Sequence, residues 1–484
     1  MLVSNYEKAK SMGRWYEHQQ PTRTIVVLRK ELQMPTARSG AWMCISVSSM
    51  GDILRYFHHI AVAQEINLFN ILKAWLRQRK RTWNEWPTVV PFSDDQALQH
   101  FLTNSQWDEK LVVDQIAADA NNYIGGKQDS CLIIDETGLP KKGDKSVGVK
   151  RQWCGQLGKV DNCQVGVFSA LGYREDVTPV GFKLYLPEDW TDDEKRCKAA
   201  GIPDESVVFH TKHDLALQLV VEARKQGVQF AWVGADGFYG EDPAFLRSLD
   251  QMKETFMVDV HKNQHIFLED PEPVVPERTS NKGPAPKKLK AQTEPIRVDK
   301  WLECQPEEAW QRTFVRDTTK GKLLVDVLHE LVWLWDGDET EANCWHLVVR
   351  REVEGNKVKF SLSNAPEDTS LERLIFMQAQ RYWVERSFQD AKVECGLGDY
   401  QARKWRSWQH HMAMVMMAML FLLEQRLFYR KDIPLLSCFD IVCILSFLLP
   451  QRAFTTDEVF RQMEIRHKKR QSAIDSAYRK QLKE

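Results

Sequence analysis

The sequence predicts an α/β fold built on a central sheet that presents acidic residues at its strand ends. Two apolar runs carry this expectation, Ser130-Cys-Leu-Ile-Ile-Asp135 and Phe230-Ala-Trp-Val-Gly-Ala-Asp236. Each reads as a short buried strand with one carboxylate at its C-terminal tip. Around them strand-like and helix-like stretches alternate, the pattern of a sheet covered by helices. The chain has 484 residues, room for roughly two to four domains. A hydrophobic content of 43% is enough to build cores.

Taken in order, residues 1–95 form an N-terminal region of mixed character. Its stretch Leu68 to Trp83 sets Lys73, Arg77, Arg79, Lys80 and Arg81 among Leu and Trp. That reads as a basic amphipathic helix, either a solvated face or a DNA contact. From about residue 96 to 130 the pattern is helical, with Asp94 and Asp95 placed to cap it. Strands are expected at Cys131–Asp135, Cys163–Tyr173, Thr178–Leu186, Phe230–Ala235 and Thr255–Val260, and helices at Asp214–Gln226 and Pro243–Met252. The order of three strands, helix, strand, helix, strand matches a ribonuclease-H-like sheet. The first part of that core spans 96–261.

Residues 262–366 read as a β-rich insertion. It opens with a mobile loop rich in Pro and Lys between 270 and 292. Its strands are expected at Trp310–Arg316, Leu323–Trp335, Cys344–Arg351 and Val358–Ser363. The core resumes over 367–430 with a helix carrying Glu385, and 431–484 is a helical C-terminal region with a basic tail from Arg466.

Net charge is −1, so the whole molecule gives no sign of a polyanionic partner, although a local basic face would suffice. Ten cysteines are scattered without a Cys-x-x-Cys pair, which fits reduced thiols in a cytosolic protein. The N-terminus lacks a basic-then-apolar signal pattern. The most apolar run, from Met412 to Leu423, is too short to span a bilayer and reads as a buried helix. The expectation is a soluble cytoplasmic protein with no membrane partner.

Two strand-end aspartates and one helical glutamate form the smallest set that can hold two divalent metals for phosphodiester chemistry. Magnesium, or manganese, suits such hard oxygen donors. Converging carboxylates repel, so their pKa values should rise until a cation arrives. Glu136 competes with Asp135, but adjacent strand residues face opposite sides, so Asp135 is the choice. On the helix, Arg381 and Lys392 share a narrow stripe with Glu385 at 100° per residue. Val384, Phe388, Ala391 and Cys395 occupy the adjoining arc and can pack on a sheet. An acid flanked by two bases suits a metal site that grips phosphate; the plain alternative is a surface salt bridge.

These residues resemble the DDE transposases of bacterial insertion sequences, in the branch marked by a Tyr-Arg-Glu-Lys signature. Arg381, Glu385 and Lys392 match three of its four positions, and Gln378 stands where the tyrosine is expected. Also similar are Asp135-Glu-Thr-Gly, Asn162-Cys-Gln-Val-Gly-Val-Phe, Leu184-Tyr-Leu-Pro-Glu-Asp-Trp, Trp345-His-Leu-Val-Val-Arg-Arg, and the run from Gly396 to His411. The resemblance covers about residues 95 to 430. It implies Asp135, Asp236 and Glu385 as catalytic and metal-binding residues, and Arg381 and Lys392 as contacts to terminal DNA phosphates. It implies cut-and-paste chemistry on double-stranded DNA: cleavage at element ends, attack of the 3′-hydroxyl on target DNA, and in related enzymes a hairpin intermediate. A dimer on paired ends is expected in the DNA complex.

Lys141, Lys142, Lys150 and Arg151 follow the first strand and are further candidates for DNA contact. So are Arg403, Lys404 and Arg406, which are interleaved with Trp405 and Trp408. Trp345 and Phe360 are either core aromatics or stacking partners for a flipped base. Two alternatives stay open: a ribonuclease-H-like nuclease without strand transfer, and a transposase-derived DNA-binding protein that has lost catalysis.

Overall fold

The computed structural model describes residues 95–277, 287–318, 321–337, 339–353, 357–448 and 455–482. The basic stretch Leu68–Trp83 and Asp94 lie outside the described residues. The fold opens with helices α1 (Asp95–Thr103) and α2 (Glu109–Ile124). Asp108 starts α2 by accepting the amides of Lys110 and Leu111. Four strands follow: β1 (Ser130–Pro140), β2 (Lys150–Cys154), β3 (Lys159–Tyr173) and β4 (Asp176–Leu184). Then come α3 (Glu188–Thr191), α4 (Glu194–Ala200) and α5 (Lys212–Lys225), the last begun by a capping box of Thr211 and Asp214. Strand β5 (Trp232–Ala235) leads through α6 (Gly237–Gly240) and α7 (Pro243–Gln251) to β6 (Phe256–Val260).

The short β7 (His265–Ile266) and β8 (Ile296–Arg297) pair with each other and precede α8 (Val298–Glu303). A meander follows: β9 (Gln311–Thr318), β10 (Gly321–Leu334), β11 (Asn343–Glu352) and β12 (Val358–Ser363). The chain then turns helical: α9 (Leu371–Val393), α10 (Trp405–Tyr429), α11 (Cys438–Leu448) and α12 (Thr456–Gln481).

One sheet of ten strands organises these elements, in the order β2-β3-β1-β5-β6-β12-β11-β10-β9, with β4 on β3. Strands β1, β3 and β4 pair antiparallel, whereas β1, β5 and β6 run parallel. The strands expected of an insertion do not build a sheet of their own. β12 hydrogen-bonds antiparallel to β6 and carries the meander onto the same sheet. Hydrophobic periodicity reports which face of a strand is buried, not which strand it pairs with.

Two strand expectations need correction. Strand β1 does not stop at Asp135: Glu136 through Pro140 stay paired with Cys163 through Val167 of β3. Thr137 and Gly138 are therefore strand residues, because the long antiparallel partner continues past the point where β5 ends. Strand β2 was not anticipated; it forms a hairpin with the start of β3.

Helix α9 lies across β1, β3, β4, β5, β6 and β9, and α10 packs on β4, α1 and α2. Val384, Phe388, Ala391 and Cys395 are buried, as the helical arc required. Helix α10 is much longer than the apolar run suggested. By length and composition it could cross a bilayer, but 78% of its apolar window is buried inside the fold. Burial on all sides accounts for its lack of a polar stripe. His410 stacks on Trp107 at 3.8 Å, and its ring nitrogens face the carbonyls of Leu102 and Trp107. Trp345 and Phe360 are both core residues, and Trp345 meets Phe256 edge-on at 5.0 Å.

Candidate active site

Strand pairing brings Asp135 and Asp236 together. β1 and β5 pair in parallel as Cys131 with Trp232, Leu132 with Val233 and Ile133 with Gly234. The same offset carries Asp135 to Asp236, one interstrand spacing of about 4.8 Å away along the backbone. There β5 ends, and Asp236 becomes the cap of α6, accepting the Phe238 amide at 3.1 Å. Burial, then the charge of Asp236, pushes the Asp135 carboxyl up to about 7. Burial likewise raises Asp236, while Arg381 pulls it back down.

Close packing makes this arrangement depend on a glycine. A β-carbon on Gly240 would lie 2.0 Å from the Asp259 carbonyl oxygen, so α6 can press against β6 only without one.

Arg381 is the electrostatic hub. Its Nη1 lies 2.8 Å from Glu385 Oε1 and its Nε donates to Asp259 Oδ2 at 3.2 Å. Burial works against its charge, but Asp259, Glu385, Asp135 and Asp236 together hold it protonated. Glu385 is exposed and turned onto this guanidinium. Among the described residues, no three His, Cys, Asp or Glu side chains stand close enough to hold one cation. The structure therefore sets Asp135 beside Asp236 and pairs Glu385 with Arg381.

Glu136, set aside as facing away, is bound on its own side. It accepts Lys212 Nζ at 2.5 Å and the Tyr239 hydroxyl at 3.0 Å. Its charge still reaches Asp135 and Asp236 and helps keep both high. Asp259 was missed altogether. It accepts the Ser361 hydroxyl at 2.6 Å, and Lys359 approaches at 3.8 Å. A lone acid within the apolar strand Phe-Met-Val-Asp-Val was the signal that could have found it. Gln378 is buried and donates to Ser361 Oγ at 2.8 Å, which ties α9 to β12.

The basic candidates divide. Lys392 is half-buried; burial lowers its pKa and Asp135 raises it, so it stands within the field of the acid pair. Lys141 points inward, donating to the Tyr400 carbonyl, and burial lowers its pKa to about 8. Lys150 pairs with Asp189 at 2.9 Å, and Lys404 donates to the Ala199 carbonyl. Lys142, Arg151, Arg403 and Arg406 are exposed. Trp408 is fully buried, so it is a core residue and cannot stack a base.

Comparison with known proteins agrees with this chemistry. The family model described as DDE superfamily endonuclease matches residues 85–322, which include Asp135 and Asp236 and end before Glu385. A probable transposase for insertion sequence element IS701 from Microchaete diplosiphon is 27% identical over 331 residues, 67% of this chain and 73% of that protein. The cryo-EM structure of the piggyBac transposase synaptic complex with hairpin DNA aligns over 87% of this chain and 75% of that one. Its TM-score is 0.40, at 13% identity. These likenesses support a DDE transposase.

Proposed function

We propose that this transposase cleaves double-stranded DNA at the ends of an insertion sequence and joins them to target DNA, with Asp135, Asp236 and Glu385 as its catalytic carboxylates. The observation that carries this reading is the neighbouring pair Asp135 and Asp236, one of them held near pKa 7 by burial and by the other. Two neighbouring carboxylates, only partly balanced by Arg381, are a set of hard oxygen donors that favours a divalent cation. Magnesium or manganese, two ions in the full site, would be held by Asp135 and Asp236 with Glu385. When bound, they supply the charge that attacking and leaving oxygens need.

The chain's own residues prepare that site. Arg381 fixes α9 against β6 through Asp259 and balances the acid pair. Lys392 places a second positive charge near Asp135. Lys142, Arg151, Arg403 and Arg406 are exposed and offer backbone contacts; Lys141, Lys150 and Lys404 reach DNA only by leaving their present partners.

Strand order supports a ribonuclease-H-like core over 96–261 and 367–430, with antiparallel β1, β3 and β4 followed by parallel β5 and β6. On this reading 262–366 is an insertion that extends the sheet, and 1–95 and 431–484 are appended regions. The enzyme works in the bacterial cytoplasm, at the nucleoid, as a dimer on paired ends.

Asp135→Ala, Asp236→Ala and Glu385→Ala should each abolish cleavage of a duplex carrying an element end while DNA binding persists. Retained cleavage in any variant removes that residue from the catalytic set. Supplying pre-cleaved ends with target DNA separates a transposase, which joins them, from a nuclease, which does not; a hairpin product on the flanking ends marks the route to the second strand.

A further inference from the structure

Beyond the acid pair, the half of the sheet formed by β9, β11 and β12 carries more positive charge than its neighbours neutralise. Arg350 on β11 is only 8% exposed, and its Nε has no hydrogen-bond partner. Among the described residues no carboxylate pairs with it. Asp259 and Glu352 act on it only through space, and Arg316 and Arg381 push against its charge. In register, Arg350 sits directly opposite Lys359 of β12. Like charges facing each other across a ladder destabilise it, and a buried guanidinium without a partner is costly. Arg316 of β9 lies over the exposed ring of Tyr382 at 3.6 Å, beside the same surface. The acids close to this group are Glu352, Glu385 and Asp259, the last engaged by Arg381 at 3.2 Å and approached by Lys359 at 3.8 Å.

Sheets do not keep such groupings for stability. An anion settling between Arg350 and Lys359 would satisfy the orphan donor and relieve the repulsion at once. A guanidinium fork fits two phosphate oxygens, and an ammonium adds charge without geometric demand. The exposed Tyr382 ring, backed by Arg316, offers an aromatic face of the kind on which a base stacks. All of this lies next to the stripe of α9 that holds Arg381 and Glu385.

We propose that Arg350 and Lys359 form a subsite for a backbone phosphate of the bound DNA, with Arg316 and Tyr382 as its outer wall. The subsite would hold the strand as it leaves the reacting centre. This rests on the reading that DNA is the substrate, and the test keeps the two apart.

The full-length protein is titrated with a fluorescent duplex oligonucleotide over a series of salt concentrations. Each phosphate neutralised contributes about −0.9 to the slope of log affinity against log salt. Arg350→Gln and Lys359→Gln should each reduce that slope by about 1, whereas Arg350→Lys should keep it. Lys110→Gln, at an exposed position of α2 outside the proposed binding residues, should bind with the native slope. Native slopes in both Arg350→Gln and Lys359→Gln overturn the subsite and leave DNA binding standing. A native protein that binds no duplex overturns both. If circular dichroism shows that Arg350→Gln does not fold, Lys359→Gln and Arg316→Gln, at half-buried positions, decide the matter in the same way.

Discussion

Arg381 Nη1 lies 2.8 Å from Glu385 Oε1, so the helical acid is engaged by a guanidinium of its own helix. The same guanidinium faces Asp259 at 3.2 Å, so one side chain connects the helical acid to the sheet. Arg381 therefore acts as countercharge for four carboxylates. Any cation that gathers the three acids proposed as catalytic must compete with it.

Removing that countercharge should be costly. Arg381→Ala leaves Asp259 and the acid pair without their main positive neighbour, in surroundings that are mostly buried. Loss of one partner from a buried charge group costs about 3 kcal/mol or more. Urea unfolding of the metal-free protein measures this. A loss below about 0.5 kcal/mol, the range of ordinary surface changes, would sink the hub assignment.

Asp135 gives the metal-free protein a pH signature. Its folded pKa, about 7, is above its ordinary value of 3.8. The folded state then binds more protons than the unfolded state between those values. Stability should be greatest at the acid end of that window and fall as pH rises towards 7, at up to about 1.4 kcal/mol per unit. Asp135→Asn should flatten the decline. An equal decline in the variant would show that another group is responsible.

Divalent cations should reverse the repulsion that raises Asp135. Magnesium or manganese at about 100 times the dissociation constant should stabilise the fold by about 2.7 kcal/mol. Thermal unfolding with and without the cation reads this directly. The double variant Asp135→Asn, Asp236→Asn should show no such gain, and an undiminished shift would place cation binding elsewhere.

Much of the sheet was legible because its strands are apolar runs closed by acids or turns. The meeting of Asp135 with Asp236 was legible because each follows a short apolar run, Cys131–Ile134 or Phe230–Ala235. What escaped depends on partners that a linear pattern does not name. Asp135 sits within β1 because β3 keeps pairing beyond it. The meander extends the main sheet because β12 finds β6. Glu385 turns onto Arg381 because the two are one helical turn apart, so the salt bridge weighed as the plain alternative is the arrangement the structure shows. Arg350 and Lys359 meet only once the β11–β12 register is known.

Gly240 carries the last prediction. Its missing β-carbon lets α6 rest on the backbone of β6, and Asp236 caps that same helix. In Gly240→Ala the new methyl would stand 2.0 Å from the Asp259 oxygen and 2.9 Å from Val258 Cγ1, so α6 must lift. Overpacking of this kind costs about 1–3 kcal/mol. Lifting α6 also moves Asp236 relative to Asp135, so cleavage should fall even at temperatures where the variant is fully folded. Gly155→Ala serves as the control, because nothing lies within 4 Å of its added carbon. Native cleavage by fully folded Gly240→Ala would mean that the fit of α6 on β6 does not set the position of Asp236.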